Sequence, residues 1–364
     1  MGGALSTTIG IVTGGGDCPG LNAVIRAVVK AAAKRGWESL GIIGGYEGLL
    51  PPQQVLPLDY KSLGGLLTRG GTILGTANRG RFSAKVGHGE KRGLPTDLLA
   101  ETKRGFDLLG LRALVSIGGD GSMTIAQELH EYGIPIVGVP KTIDNDLAAT
   151  MMTFGFDSAV ACATDALDRL HSTAESHQRV MVLEVMGRYA GWIAVYSGLA
   201  GGADVILIPE IPFTYESVCA KIAQREKSGK HFSIVVAAEG ARPAGGGFVT
   251  TADQPTDREA RLGGIGHQAA AEIEKRTGKE TRVVVLGHLQ RGGSPTNFDR
   301  ALCTVFGTKA VELVARGEFG QMVAFRPPHV DGVPIHEAVG KLRTVPLDGG
   351  FVQSARALGI CLGD

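Results

Sequence analysis

The sequence of 364 residues lacks the features that mark several broad classes of protein. No apolar run reaches the roughly 18 residues that a membrane-spanning helix requires. Lysine and arginine number 37 against 36 aspartate and glutamate residues, so there is no basic excess for binding nucleic acid or a membrane surface. Charged residues make up 20% of the chain and apolar residues 43%, a balance that excludes long disorder. We expect a globular protein with no nucleic-acid or membrane partner.

Cysteine is also scarce, and its distribution argues against two kinds of cross-linked framework. The five cysteines are odd in number and form no Cys-x-x-Cys pair: Cys18, Cys162, Cys219, Cys303 and Cys361. This pattern is typical of free thiols in a reducing compartment and not of a disulfide framework or a zinc site. The first residues, Met1–Ser6, carry neither the basic start nor the apolar stretch of a signal peptide. We therefore expect the protein in the cytoplasm.

Glycine, by contrast, is abundant. The chain has 55 glycines in 364 residues, about twice the usual share, and no Gly-X-Y period that would indicate collagen. Aperiodic glycine in a globular chain indicates many tight turns and close backbone approaches. Those features are common in α/β proteins that bind phosphates.

Short apolar runs alternate with amphipathic segments along the whole chain. We predict strands at residues 9–13, 113–117, 135–139, 180–185, 205–208, 233–238 and 282–286, and helices that include 157–171 and 268–276. This order predicts an α/β fold with doubly wound, Rossmann-like, largely parallel sheets. At about 150 residues per domain, the length predicts two domains. In such sheets, ligands bind beyond the carboxyl ends of the strands.

The first predicted strand runs into Gly-Gly-Gly-Asp-Cys-Pro-Gly at residues 14–20, before a predicted helix. Glycines at such a turn let backbone N–H groups approach a phosphate, and the start of the helix adds partial positive charge. The spacing matches neither a Walker A loop nor the dinucleotide-binding pattern. A tight turn without any ligand explains this segment almost as well.

Two further motifs follow predicted strands. Residues 118–122, Gly-Gly-Asp-Gly-Ser, suit a nucleotide phosphate with Mg²⁺ held by Asp120, although Asp120 could instead cap the next helix. Residues 140–146, Pro-Lys-Thr-Ile-Asp-Asn-Asp, place two carboxylates two residues apart. A carboxylate beside a substrate hydroxyl can act as a general base, and the alternative is a simple turn built on Asp and Asn.

Four arginines flank two predicted strands: Arg179 precedes one strand and Arg188 follows it, while Arg282 lies at the start of another and Arg291 beyond its end. The planar guanidinium group makes paired hydrogen bonds to phosphate. One such arginine is usually a surface ion pair, whereas four favour a second polyanion site. Glu239 also follows a strand, and it either accepts hydrogen bonds from sugar hydroxyls or caps the next turn. Together the motifs predict phosphoryl transfer from a nucleotide to a phosphorylated acceptor, where catalysis is mostly positioning and charge stabilisation.

These motifs occur in the order of one known family. The chain resembles the 6-phosphofructokinase family from Ile9 to about Val314. The resemblance rests on the segments GGGDCPGLNAVIR, GGTILGTANR, IGGDGS, PKTIDND, SHQRVMVLEVMGRYAGW, GGADVILIPE and VLGHLQRGGSP. It implies Mg²⁺-dependent transfer of a phosphoryl group from ATP to the 1-hydroxyl of fructose 6-phosphate in glycolysis.

The resemblance also implies roles for single residues on the donor side and at the reacting groups. The donor's phosphates would contact Gly15, Arg79, Gly119, Asp120, Gly121 and Ser122. Asp120 would bind Mg²⁺, and Arg79 matches the family's arginine better than Arg81 does. Asp144 would take the proton of the 1-hydroxyl, and Arg188 would stabilise the transferring group. Thr142 and Asp146 would support that site.

On the acceptor side, the resemblance implies one group of residues for the 6-phosphate and another for the sugar. The first group is Arg179, Arg282, His288 and Arg291, and the second is Met186, Gly187 and Glu239. In this family some of the arginines reach over from a neighbouring subunit, and Arg179 and Arg282 match those positions. A homotetramer, or at least a homodimer, is therefore implied.

The expected architecture follows from the same resemblance. Residues 1–157 and 290–343 would form the donor domain, and residues 158–289 and 344–364 the acceptor domain, with the active site in the interdomain cleft. The short bacterial members also have a basic effector site, which Arg26 and Lys30 match in part. His171 and Tyr60 stand where that site has arginines, so we do not expect strong control by those effectors.

Three alternatives to this function stay open. Pyrophosphate-using relatives usually carry Asp in place of Gly121 together with a lysine at the position of Lys141, and this chain has the mixed pair Gly121 and Lys141. An aspartate at 121 would repel the α-phosphate of ATP, and glycine removes that obstacle, so we expect ATP over pyrophosphate. A longer acceptor such as sedoheptulose 7-phosphate is a second alternative. A non-catalytic phospho-ligand sensor is the third, although a decayed copy should have lost one of Asp120, Asp144, Asp146 and Arg188.

Overall fold

The computed structural model describes residues 7–77, 80–82, 93–249 and 262–364. By its internal contacts the chain forms two compact units. Unit 1 comprises Met1–Ile143, Leu147–Asp157 and Arg291–Leu342, and unit 2 comprises Asp144–Asp146, Ser158–Gln290 and Arg343–Asp364. None of the described helices is both long and apolar enough to cross a lipid bilayer.

Strands and helices alternate along most of the described chain. The strands are β1 (Thr8–Thr13), β2 (Glu38–Ile42), β3 (Val55–Pro57), β4 (Leu111–Gly118), β5 (Ile136–Pro140), β6 (Val180–Val185), β7 (Val205–Leu207), β8 (Ser233–Ala238), β9 (Thr281–Val285), β10 (Gln321–Arg326) and β11 (His329–Pro334). The α-helices are α1 (Leu21–Ala33), α2 (Thr96–Leu108), α3 (Asp120–Glu131), α4 (Phe156–His177), α5 (Trp192–Ala200), α6 (Tyr215–Lys227), α7 (Ile265–Thr277), α8 (Asn297–Arg316), α9 (Ile335–Ala338) and α10 (Gly350–Ala357).

Unit 1 contains a sheet in the order β11-β10-β5-β4-β1-β2-β3. Its five central strands run parallel, and the two outermost strands are antiparallel to their neighbours. In β4 only Arg112 is exposed, as expected of a strand covered on both faces. Against one face of this sheet, side chains such as Val12, Leu114 and Ile136 pack into a single apolar core.

Unit 2 contains a fully parallel sheet in the order β7-β8-β6-β9. Every residue of β6 and β8 is buried. Val182, Val235 and Ile273 belong to the apolar core that these strands share with α7. Both sheets begin new strands after helical crossovers, which is the arrangement that keeps neighbouring strands parallel.

The structure confirms the α/β class with largely parallel sheets. The seven predicted strands are all present, and their ends shift by no more than one residue in most cases. Four strands, β2, β3, β10 and β11, were not predicted. They lie towards the two sides of the unit 1 sheet and are partly exposed, so polar residues such as Glu38, Gln321 and Asp331 interrupt their apolar pattern.

Candidate active site

In unit 1, the three predicted motifs meet at the carboxyl edge of the sheet. Strands β1, β4 and β5 are neighbours, and each is followed by one of the motifs. The Gly14 N–H donates to the carbonyl of Ile117 at 2.9 Å, and the Lys141 N–H donates to the carbonyl of Gly118 at 2.9 Å. The turns after these strands therefore lie side by side, as the rule for parallel sheets requires.

Glycine is required where these turns approach each other. A Cβ atom on Gly14 would lie 2.5 Å from Ser122 Oγ, and one on Gly118 would lie 2.2 Å from Ser122 Cβ. Both distances are far below any normal contact. Gly15 has a φ of 74°, in the left-handed region that other residues rarely adopt. The turns are thus built mainly from backbone, with room for little else.

Three side chains hold successive carbonyl groups of the turn after β1. Thr76 Oγ1 donates to Gly15 O at 2.5 Å, and Lys141 Nζ donates to Gly16 O. Arg291 Nη1 donates to Asp17 O at 3.1 Å. These bonds fix the turn and place an ammonium and a guanidinium group beside it. The resulting positive charge favours an anion.

Asp120 is the first residue of α3, and Gly119 is its N-cap residue. The interpretation of Asp120 as an N-cap is therefore wrong, because no side chain caps this helix. Instead, Asp120 Oδ1 accepts a hydrogen bond from the N–H of Gly340 at 2.9 Å. A Cβ atom on Gly119 would lie 3.1 Å from the carbonyl oxygen of Lys141, so Asp120 begins its helix beside the turn after β5.

Cys18 lies within the same glycine-rich turn, but it offers no reactive thiol. Its side chain is buried, and burial raises the pKa of the thiol to about 12. Burial therefore disfavours the thiolate, the form of cysteine that acts as a nucleophile.

The carboxylates Asp144 and Asp146 follow β5 and belong to unit 2, whereas Thr142 belongs to unit 1. Both carboxylates are half-buried. Between them, Asn145 is fully buried with a φ of 51°. A non-glycine residue in this region is uncommon, and such conformations cluster at functional sites.

In unit 2, the turns after β8, β6 and β9 also lie side by side. The Glu239 N–H donates to the carbonyl of Val185 at 2.8 Å. The Met186 N–H donates to Oε1 of Gln290, a fully buried side chain, at 2.7 Å. A Cβ atom on Gly240 would lie 1.9 Å from the carbonyl oxygen of Arg188, so these turns are in direct backbone contact.

These turns enclose a cavity of about 410 Å³ in unit 2. Its lining includes the sequence-predicted residues Met186, Glu239 and His288, together with the stretch 262–264 and His267. A few polar groups around a cavity of this size are typical of small-molecule sites. Gly187, with a φ of 136°, makes the turn between Met186 and Arg188.

One wall of the cavity depends on Glu184, a carboxylate buried within β6. Its Oε2 accepts hydrogen bonds from the N–H groups of Gly266 at 2.7 Å and Gly264 at 3.2 Å, at the start of α7. The side chain therefore fixes the residues before that helix. This wall is not predicted by the sequence analysis. Glu184, a charged residue inside an apolar strand, is nevertheless a signal that could have indicated it.

Arg179 and Arg282 lie at the opposite edge of the unit 2 sheet, at the starts of β6 and β9. Arg179 Nε is 2.6 Å from Glu280 Oε2, and Arg282 also forms an ion pair with Glu280. The hydrogen bond from Arg179 lowers the pKa of Glu280 below its ordinary value. Within one chain, the structure does not bring these two arginines to the turns that carry Arg188.

A family model described as phosphofructokinase matches residues 8–314 of the chain. The chain belongs to the phosphofructokinase family. The membership that the sequence motifs predict is thus confirmed, over nearly the same residues.

Similar proteins carry both donor names. The ATP-dependent 6-phosphofructokinase of Chloroflexus aurantiacus is 55% identical and is matched over 98% of both chains. The pyrophosphate–fructose 6-phosphate 1-phosphotransferase of Streptomyces coelicolor is 51% identical, over 93% of this chain and 96% of that protein. The fold is also similar to the crystal structure of Pichia pastoris phosphofructokinase in the T-state, with a TM-score of 0.79 and 31% sequence identity. The match covers 92% of this chain and 35% of that chain.

Of the residues singled out from the phosphofructokinase motifs, Arg79 lies outside the described residues. The others fall into four places: the turns of unit 1, the stretch Asp144–Asp146 that follows β5 but belongs to unit 2, the turns and cavity of unit 2, and the opposite edge of the unit 2 sheet. Arg291, which was predicted on the acceptor side, contacts the turn after β1 through the carbonyl of Asp17.

Proposed function

We propose that this phosphofructokinase is ATP-dependent and acts in glycolysis in the cytoplasm. It transfers the γ-phosphoryl group of ATP to the 1-hydroxyl of fructose 6-phosphate, giving fructose 1,6-bisphosphate and ADP. The observation that carries the proposal is the unit 2 cavity of about 410 Å³, which brings Met186, Glu239 and His288 together. A small polar ligand such as a sugar phosphate fits a cavity of this volume.

On the donor side, the turns of unit 1 bind the phosphates. Gly15 and the amides at the start of α3, including Gly119, Gly121 and Ser122, supply N–H groups, and Arg79 adds a positive charge. Glycine at positions 14 and 118 leaves no side chain in the way. Helix N-termini preceded by glycine turns are common phosphate sites.

Mg²⁺ fits the donor atoms of this site. Among the described residues, no cluster of three or more His, Cys, Asp and Glu could enclose a metal ion. Mg²⁺ usually takes one or two carboxylates together with substrate phosphates, so Asp120 and the donor's own oxygens suffice. The bound ion would neutralise charge on the transferred phosphoryl group.

On the acceptor side, Met186, Gly187 and Glu239 contact the sugar, and His288 and Arg291 bind the 6-phosphate. Arg179 and Arg282 do so for a neighbouring subunit in a homotetramer or homodimer. Their place at the far edge of the unit 2 sheet suits that arrangement better than a role in their own chain's cavity.

In the chemical step, Asp144 accepts the proton of the 1-hydroxyl while the hydroxyl oxygen of the sugar attacks the γ-phosphorus. The bond between that phosphorus and the β,γ-bridging oxygen breaks, and ADP leaves. Arg188 stabilises the charge on the transferring group, while Thr142 and Asp146 orient the reacting groups. Such catalysis is mostly positioning and electrostatic stabilisation.

Pyrophosphate as the donor is the second candidate, because relatives of both names are similar and because Lys141 lies beside the phosphate turn. Initial rates with fructose 6-phosphate and Mg²⁺ separate the two, with ATP and pyrophosphate run side by side. We expect turnover with ATP only. Turnover with pyrophosphate alone would reverse the donor, and no turnover with either would favour the sensor or another acceptor.

The variant Gly121→Asp sharpens that experiment. It should lower the rate with ATP by at least about tenfold, because a carboxylate would face the nucleotide's phosphates. Gly64→Asp is the matched control, since its Cβ meets nothing within 4 Å. An unchanged rate in Gly121→Asp would show that position 121 does not contact the donor.

A further inference from the structure

The segment from Arg343 to Val345 lies beyond the residues that the family model matches. It nevertheless contacts the carboxylate pair's own stretch of backbone, within unit 2. The Arg343 N–H donates to the carbonyl of Asp146 at 2.8 Å, and Arg343 Nη1 donates to the carbonyl of Asn145 at 3.1 Å. The first bond comes from the backbone of residue 343, and only the second, to Asn145, depends on the arginine side chain.

The guanidinium group of Arg343 is itself held by Trp192, the first residue of α5. Its Cζ lies 4.3 Å from the centre of the indole ring, and Trp192 Nε1 donates to the carbonyl of Arg343 at 2.9 Å. A planar guanidinium stacks on an aromatic ring in a way that an ammonium group cannot reproduce. Arg343 therefore has a defined position from which to donate.

The same segment is anchored a second time, through Glu210. Val345 N–H donates to Glu210 Oε1 at 2.8 Å, and Gly191 N–H donates to the same oxygen at 3.0 Å. Because Gly191 directly precedes Trp192, both anchors of the segment lie at the start of α5. The carbonyls of Asn145 and Asp146 are thus tied to a rigid element of unit 2.

The contact matters because of the backbone at Asn145. Its φ of 51° lies in the left-handed region, and it separates the two carboxylates. A conformation of this kind persists only when its surroundings impose it. If Asn145 relaxed, Asp144 and Asp146 would point in other directions.

We propose that Arg343 is a positioning residue for the carboxylate pair Asp144 and Asp146, acting through the carbonyl of Asn145, to which its side chain donates. The predicted effect of Arg343 on turnover rests on the proposed phosphofructokinase activity. Its predicted effect on the backbone at residues 144–146 is independent of that activity.

The test compares Arg343→Met with Arg356→Met as a matched control. Arg356 lies in the same C-terminal stretch, but it pairs with Asp364. We expect kcat to fall about 10- to 100-fold in Arg343→Met, because small displacements of a catalytic group have effects of that size. The KM for ATP should stay within about twofold, because the donor's proposed binding residues are not altered. Arg356→Met should match the wild type.

Backbone amide hydrogen exchange of the peptide 142–149 provides a readout that needs no activity. Exchange should become faster in Arg343→Met and stay unchanged in Arg356→Met. If Arg343→Met does not fold, Arg343→Lys and Trp192→Phe take its place, since each weakens the clamp with a smaller change. Both should show faster exchange of the peptide and a lower kcat.

The outcomes separate the two claims. Unchanged exchange and unchanged kcat in the Arg343 variants would overturn the positioning role. So would equal losses in Arg343→Met and Arg356→Met, which would indicate a general structural effect. A wild type without turnover would refute the proposed activity, and the exchange of peptide 142–149 would still decide whether Arg343 holds the carboxylate pair.

Discussion

In each unit, the candidate site lies beyond the carboxyl ends of three neighbouring parallel strands. The two sites nevertheless differ in the groups from which they are built. In unit 1 the turns are backbone, and a Cβ on Gly14 or Gly118 would collide with Ser122. In unit 2 the turns surround a cavity of about 410 Å³ lined by side chains such as Glu239 and His288. Phosphates are bound well by backbone N–H groups, whereas a sugar requires a shaped cavity with placed polar groups.

The two candidate sites are also held in place by different kinds of neighbouring side chain. The turn after β1 is held by side chains that donate to its carbonyls, from Thr76, Lys141 and Arg291. The cavity of unit 2 is held by a buried carboxylate, Glu184, that accepts from backbone amides. Substitutions in the two units should therefore affect different kinetic constants.

The largest effect is expected for Asp144→Asn, which removes the proposed base but leaves the proposed binding sites for ATP and fructose 6-phosphate. It should lower kcat by about 10²–10⁴-fold, the usual worth of a general base. Binding of fructose 6-phosphate, measured by titration calorimetry, should change little. Asp165→Asn is the control, an exposed carboxylate paired with Arg169 on α4. A variant that kept more than about a tenth of the wild-type rate would exclude Asp144 as the base.

Gly118→Ala should weaken binding of the phosphoryl donor without affecting binding of fructose 6-phosphate. The added Cβ would lie 2.2 Å from Ser122 Cβ, so the turn must open. We expect the KM for ATP to rise about thirtyfold while the KM for fructose 6-phosphate stays constant, since the fault is one of positioning. Gly64→Ala, where a Cβ meets nothing within 4 Å, is the control. Equal changes in both constants would contradict the division between the units.

Glu239→Gln should change the KM for fructose 6-phosphate and not the KM for ATP, and the change should be smaller than that in Gly118→Ala. Loss of the charge should weaken the hydrogen bonds that we propose between Glu239 and the sugar, so the KM for fructose 6-phosphate should rise about tenfold and the KM for ATP should stay unchanged. Glu226→Gln is the control, because Glu226 forms an exposed ion pair with Lys279. A rise in the KM for ATP alone would contradict the assignment of Glu239 to the sugar-binding site.

The smallest effect concerns the far edge of the unit 2 sheet, where Arg179 lowers the pKa of Glu280. A carboxylate with a lowered pKa adds stability above its ordinary pKa, and that stability is lost as the pH falls through the lowered value. The Tm of Glu280→Gln should therefore be slightly below that of the wild type at neutral pH. The two should converge in acid. A Tm difference that grew on acidification would show that Glu280 does not carry this ion pair.

The comparison also explains what could be predicted from sequence. Glycine spacing is a direct signal of a backbone-built site, so the turns at residues 14–20 and 118–122 could be located. The α/β class followed from the alternation of apolar runs. Glu184 inside an apolar strand signals a buried polar contact, but its partners at 264 and 266, like the partner of Arg343 at Asn145, lie too far away in sequence to be identified from it. Arg179 and Arg282 lie at strand starts, as the sequence indicates, and therefore at the edge of the unit 2 sheet opposite to the turn that carries Arg188.

The most direct test of this division is hydrogen exchange of the wild-type protein with each ligand alone. Fructose 6-phosphate should protect peptides covering 184–188, 239–241 and 262–267. A non-hydrolysable ATP analogue with Mg²⁺ should protect those covering 14–20 and 118–124. The same peptides protected by both ligands, or the two patterns exchanged, would contradict the assignment of the donor to unit 1 and the acceptor to unit 2.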